Sequence, residues 1–260
     1  MAQMQDRLQS RVEELLDRAR RGEITYTDFL TPGEQMTVKR HLRGAAAEMQ
    51  SWGGYTAAER GRIFFLPSYV AELEEPYRTE CLADAFAESV IALEIRGSGY
   101  RDLSHRDFLG ALLHLGVERD AIGDVCTVSP HCAILFCGRV MAEFFCQHLE
   151  RVANDAVRVS VVNVPPDFDG GRQFERISDT VASPRADAVA AALANLSRER
   201  AQALFKAGLV EIDYEPEERC DRTVEEGAVV VIRGVGKFIV RSLSDKTRKG
   251  RYRLLADRYI

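Results

Sequence analysis

Apolar residues recur at helical spacing from the start of the chain. Leu8, Val12, Leu15 and Ala19 form one stripe on an otherwise charged segment that Gly22 ends. Thr31-Pro32-Gly33-Glu34 is a T-x-x-E capping box with proline at the first helical position, and it predicts a helix to about Gln50, where Gly53-Gly54 breaks it. A second box, Thr56 to Glu59, predicts a short helix leading into Arg62-Ile63-Phe64-Phe65-Leu66-Pro67. Residues 1–75 therefore read as a small helical domain, bounded by the acidic, Pro76-containing stretch 74–80.

Six elements follow in residues 80–165. Residues 88–95 are apolar and β-branched enough for a strand, and Ser104 with Asp107 caps a helix bearing Phe108, Leu109, Leu112 and Leu115, closed by Gly116. Residues 125–128 and 132–137, joined by Ser129-Pro130-His131, read as a hairpin; residues 139–152 read as a helix and 157–164 as a strand. The order β-α-β-β-α-β is the ferredoxin-like pattern. RNA-recognition motifs share that pattern and stack bases on aromatics of the two central strands, but here those strands offer only Phe136, so the sheet is expected to be a scaffold. Residues 166–181, with Asp169-Gly170-Gly171, read as an exposed linker.

Residues 182–260 form the last domain. Ser183 is placed to cap a helix starting at Pro184, Ser197 caps a second helix, Gly208 stops it, and a strand over 209–213 follows. Ala201, Leu204, Phe205 and Gly208 share the packed side of the second helix, while Arg198, Gln202 and Lys206 share its polar, basic side. A turn at Gly227, strand 228–232, the turn 233–237 and Phe238-Ile239-Val240 predict a small curled sheet. The glycines at 234 and 236 do not make a nucleotide loop, because a strand and not a helix follows Lys237.

With 260 residues and 46% hydrophobic content the chain has material for two or three cores. Its net charge of −5 hides an asymmetry: residues 183–260 hold 15 Lys+Arg against 12 Asp+Glu, and from Arg233 onward there are 9 basic and 2 acidic residues. A C-terminal face for a polyanion, on an acidic body, is the electrostatic inference. The six cysteines include no C-x-x-C pair and read as reduced thiols, with burial favoured over zinc at Cys126, Cys132, Cys137 and Cys146, and no metal and no cofactor expected. The polar N-terminal helix carries no signal-peptide core and no apolar run reaches a membrane span, which points to a cytoplasmic protein with no membrane partner. His105-Arg106-Asp107 imitates a kinase catalytic loop, yet position 112 is Leu where Asn is required, so a kinase is excluded and a capping role is favoured, with RNA contact by His105 and Arg106 as the secondary reading.

Arg185, Asp187, Ser197, Arg198, Ala201, Gly208 and Val210 resemble the S-four RNA-binding domain, named after the fourth small-subunit ribosomal protein. Along nearly the whole chain, Phe29-Leu30-Thr31-Pro32 with Glu34-Gln35, Gly53-Gly54-Tyr55, Ala58-Glu59-Arg60, Phe65-Leu66-Pro67, the block from Ser104 to Asp124, the segment Thr180 to Asp187 and Thr247-Arg248-Lys249-Gly250-Arg251 resemble the YlmH-type RNA-binding proteins. The resemblance implies an α+β chain with an N-terminal helical domain, an RNA-recognition-like middle domain and a C-terminal α-L-type S-four domain. It also implies association with the large ribosomal subunit carrying peptidyl-tRNA, in translation quality control, and a link to cell division.

The reading is a non-enzymatic protein, with no catalytic residue and no small-molecule substrate, that binds ribosomal RNA or tRNA. The RNA-binding residues expected are Arg185, Ser197, Arg198, Arg200, Gln202, Lys206, Arg233, Lys237, Arg241, Lys246, Arg248, Lys249, Arg251 and Arg253. The rival readings are an RNA-modifying enzyme guided by an S-four domain and a protein-binding division scaffold.

Overall fold

The structure, a computed structural model, describes residues 2–42, 48–243, 247 and 250–260. It divides into two compact units, Met1–Gly171 and Arg172–Ile260. The class is α+β throughout.

The first unit opens with helix α1 (Ala2–Arg20), strand β1 (Thr25–Tyr26), helix α2 (Pro32–His41), strands β2 (Glu48–Trp52) and β3 (Arg62–Leu66), and helices α3 (Ser68–Ala71) and α4 (Tyr77–Ser89). The Thr31 box forms as read: Glu34 N–H donates to Thr31 Oγ1, and Glu34 in turn accepts from Thr31 N–H. The predicted helices end there. β1, β3 and β2 make a three-stranded antiparallel sheet where a helix to Gln50 and a second one from Thr56 were expected. Every residue of β3 is buried: Ile63 and Phe65 pack with Val12, Leu15, Val38 and Leu42, and Phe64 and Leu66 pack on the other side with Val70, Trp52 and Phe86. A strand covered on both faces shows no alternation. The acidic stretch read as a boundary runs straight into α4, whose Leu82, Ala85 and Phe86 complete that second core.

The middle sheet comprises β4 (Ile91–Gly97), β5 (Ile122–Ser129), β6 (Cys132–Cys137), β7 (Arg151–Val152) and β8 (Asp155–Val162), with helices α5 (His105–His114) and α6 (Arg139–His148). Its antiparallel order, β5-β6-β4-β8-β7, contains the ferredoxin-like arrangement predicted from the element sequence, with β7 added at one edge. Leu93, Ile95, Ala133 and Leu135 face α5 and α6, where Phe108, Leu112, Ala142 and Phe145 meet them. Asp124 ties this sheet to the N-terminal elements. It accepts from Tyr55 Oη at 2.8 Å, Glu59 N at 2.8 Å and Arg60 N at 3.0 Å, while the Arg60 guanidinium donates to the carbonyls of Phe29, Arg119 and Ile122.

The second unit holds β9 (Phe174–Val181), α7 (Ala186–Leu193), α8 (Arg198–Lys206), β10 (Val210–Ile212), β11 (Glu215–Pro216), β12 (Val229–Ile232), β13 (Gly236–Ser242) and β14 (Tyr252–Tyr259). The sheet runs β11-β10-β12-β13-β14-β9. Residues 174–181, expected as the end of a linker, pair with β14 over its whole length. Their polar, loosely alternating side chains suit an edge strand. α7 and α8 cover one face, burying Val189, Leu193, Ala201 and Phe205 against Val210, Phe238, Val240 and Leu254. α7 starts at Ala186 with Arg185 as its N-cap, and not at Pro184. Val224 N–H donates to Pro184 O, and Arg185 bridges Thr223, which hold that stretch extended. Ser197 caps α8 as read, and Gly208 ends it at φ +65°.

Candidate nucleic-acid interface

The short helices α7 and α8 bring together residues that are far from neighbours in sequence. Asp187, in the first turn of α7, is fully buried. Its carboxylate accepts from Arg198 Nε at 3.0 Å and Nη2 at 3.1 Å, Gln202 Nε2 at 2.8 Å, and Arg185 Nε at 3.2 Å and Nη2 at 3.4 Å. Burial alone would raise its pKa, but the hydrogen bonds from Arg198, Arg185 and Gln202 outweigh burial and hold the carboxyl well below the usual carboxylate range. Bonds to charged partners also favour the charged forms of the donors, and Arg185 is raised by its bond to Asp187.

One carboxylate therefore orders two guanidiniums, leaving a net positive charge at the helix junction. The side chains of Arg185 and Arg198 remain 40% and 49% exposed. Both donate to Asp187 through Nε and Nη2, which leaves each Nη1 directed away from the pair. Guanidiniums fixed in this way lose little freedom on meeting a phosphate. Asp187 is the residue that charge counting passes over, because an acidic side chain does not suggest a polyanion site.

Arg198 also lines a groove of about 320 Å³ with Arg251, Thr180, Asp179, Ala188 and Ala191. Arg251 is held there by bonds to Thr180 Oγ1 at 3.0 Å and Thr180 O at 2.6 Å. Arg200 and Lys206 are exposed on α8 and make no ion pair among the described residues, while Ser197 is committed to the cap, accepting from Arg200 N–H at 3.3 Å. This gathers Arg185, Arg198, Gln202 and Arg251, with Arg200 and Lys206 flanking them on α8.

The rest of the expected strip lies elsewhere. Lys237, Arg241 and Arg253 alternate with Phe238, Val240 and Leu254, which face α7 and α8, so they belong to the opposite face of the sheet. There Arg241 pairs with Asp257 at 2.8 Å, and Lys237 sits over the rings of Tyr214 and Tyr259 at 4.9 and 4.6 Å. Arg233 pairs with Glu211 at 2.8 Å. Lys246, Arg248 and Lys249 lie outside the described residues.

In the first unit, Ser104 and Asp107 complete the capping box, and His105 and Arg106 occupy the exposed first turn of α5. Burial, then the Arg119 cation, lowers the His105 pKa. Phe136, the one aromatic available for base stacking, is 1% exposed. Tyr55 stacks on it with centroids 4.9 Å apart, and Phe168 closes around the pair. Gly54 makes this approach possible, since at φ +103° a Cβ would collide with the Phe136 ring. The helix-free face of the middle sheet is thus plugged at its aromatic position by the chain's own N-terminal segment.

The first unit holds a ferredoxin-like sheet, an architecture that hosts many functions, and the second is an α+β unit with an arginine-rich helix junction. Family models described as "YlmH, N-terminal" and "Putative RNA-binding domain in YlmH" match residues 7–70 and 86–165. The chain belongs to the YlmH family. A curated relative, "Ribosome-associated protein quality control protein P2" of Bacillus subtilis (strain 168), is 29% identical over 232 residues, covering 89% of this chain and 86% of the relative. A solved structure, "Cell division protein ylmH from Streptococcus pneumoniae", aligns with 60% of this chain and 90% of its own at 16% identity, with a TM-score of 0.48.

Proposed function

We propose that this protein binds structured RNA of the large ribosomal subunit or its tRNA, without catalysing a reaction, and that residues 172–260 act as an S-four-type module docking through the α7–α8 junction. The observation that carries this reading is the Asp187 hub, which presents two half-exposed, pre-oriented guanidiniums beside Arg200, Lys206 and Arg251. The name of the Bacillus relative, a ribosome-associated quality control protein, supports a role in translation quality control in the cytoplasm. No helix among the described residues is long and apolar enough to cross a membrane.

The test is binding of the full chain to purified large ribosomal subunits across a salt series, comparing wild type with the Arg200→Gln/Lys206→Gln double variant. Each phosphate contact contributes about 0.7–0.9 to the log–log salt slope, so the double variant is expected to lose about 1.4–1.8. An unchanged slope and affinity would move the interface away from α8. The rival enzyme reading requires a ribosomal nucleotide whose modification disappears when the protein is deleted and returns only with intact His105.

A further inference from the structure

Helix α6 of the first unit starts without a side-chain cap, with Gly138 as its N-cap residue. The first helical bond is Ala142 N–H to Gly138 O at 2.9 Å, so the N–H groups of Arg139, Val140 and Met141 point out of the helix end, and the first turn carries no acidic residue. This end is open: Arg139 is exposed and Val140 is 76% exposed.

A second, independent feature faces the same place. Arg62, on β3, is only 9% exposed and lies over the rings of Tyr26 and Phe29, at 4.8 and 4.6 Å. Its Nε is buried with no hydrogen-bond partner, and no carboxylate lies within ion-pair distance among the described residues. Burial lowers its pKa, opposed in part by the charge of Tyr26 and Asp28 and by a side-chain hydrogen bond with Tyr26, so the orphaned atom is Nε and the guanidinium still lacks a carboxylate among the described residues. The guanidinium reaches the helix cap: a Cβ on Gly138 would meet Arg62 Nη2 at 2.8 Å. A buried cation at the positive end of a helix is unfavourable in isolation, and an anion seated between them relieves both.

We propose that Arg62 and the uncapped N-terminus of α6 form a phosphate site, and that its occupant is a backbone phosphate of the same RNA assigned to the C-terminal unit. The proposal rests on the proposed function for the source of the phosphate. It also gives the matched RNA-binding domain, residues 86–165, a mode of contact other than base stacking, because Tyr55 and Phe168 cover Phe136. Phosphate capture through main-chain N–H groups and one guanidinium reads no sequence and positions the backbone.

The test uses the full chain, purified large ribosomal subunits and inorganic phosphate. Arg62→Met removes the cation, and Gly138→Asp fills the site with a carboxylate that also caps α6. Both variants are expected to bind subunits with a log–log salt slope reduced by about 0.7–0.9, one phosphate. Inorganic phosphate, against chloride at equal ionic strength, is expected to raise the melting temperature of wild type more than that of Gly138→Asp, in which only the helix junction of the second unit and the general stabilising effect of phosphate remain. If Arg62→Met does not fold, the Gly138→Asp arm carries the test alone. Wild-type slope in a folded variant would overturn the RNA contact, and a phosphate shift as large in Gly138→Asp as in wild type would overturn the site. Should wild type itself not bind subunits, the proposed function and the RNA source both fall, and the phosphate shift still decides whether the site exists.

Discussion

Replacing Arg198 by Met separates anchoring from RNA contact at the helix junction. In the wild type the Arg198 fork supplies two of the five hydrogen bonds to the buried Asp187 carboxylate, at 3.0 and 3.1 Å, while the two from Arg185 are longer, at 3.2 and 3.4 Å. A hydrogen bond to a charged group is worth about 1.5–3 kcal/mol, and stripping one partner from a buried pair costs about 3–5 kcal/mol. Arg198 is half exposed and Arg185 and Gln202 remain, so solvent screening and the residual partners reduce the expected loss to about 1–2 kcal/mol. For a unit the size of Arg172–Ile260, each kcal/mol lowers the melting temperature by about 4–8 °C. Arg185→Met is expected to cost less than Arg198→Met, and Lys206→Met almost nothing. Calorimetry or far-ultraviolet circular dichroism is the assay, because the single tryptophan, Trp52, lies in the other unit. The depressed pKa of Asp187 fixes the pH dependence. Its stabilisation is fully present above the unfolded carboxyl pKa of about 3.9 and is lost as pH falls through the lower folded value, so the gap between wild type and Arg198→Met persists at neutral pH and closes in strong acid. An Arg198→Met melting curve that overlays wild type at pH 7 would refute the hub as a structural anchor.

Three further outcomes follow from the same geometry. Phe136→Ala is expected to destabilise the first unit by about 3–5 kcal/mol and to leave affinity for purified ribosomal subunits unchanged at temperatures where it is folded; a selective loss of affinity would restore the base-stacking reading. Asp124→Ala strips an acceptor from Tyr55 Oη and two main-chain N–H groups, so hydrogen exchange at Glu59 and Arg60 should quicken markedly, and unchanged protection would count against the clamp. Cys146, expected from the sequence to be buried, is exposed and should be alkylated well before Cys137, whose buried thiol is pushed up to about 12, chiefly by desolvation; mass spectrometry of a labelling time course checks the order.

Local signals were the legible ones. The boxes at Thr31 and Ser104 and the Ser197 cap depend on residues three apart, and each forms as read. The β-α-β-β-α-β order was legible because strands half-covered by α5 and α6 alternate visibly, as Leu93 and Ile95 do. Three features hid for physical reasons. β3 is buried on both faces and so shows no period, β9 is a polar edge strand that resembles a linker, and the Tyr55–Phe136 stack joins residues too far apart for any window to link. The candidate interface was read in part. Cations on α8 can be counted, but the division of the strip between the helix junction and the opposite sheet face follows from strand alternation within the folded unit, which sends Lys237, Arg241 and Arg253 away from Arg198.

Cross-linking in living cells, with the chain's cross-linked peptides and the bound nucleotides identified together, tests the docking surface most directly. The account predicts cross-links to large-subunit ribosomal RNA or tRNA concentrated in peptides containing Arg185, Arg198 to Lys206 and Arg251. Cross-links confined to the sheet face around Lys237 and Arg241, or an absence of RNA on every peptide of residues 172–260, would contradict it.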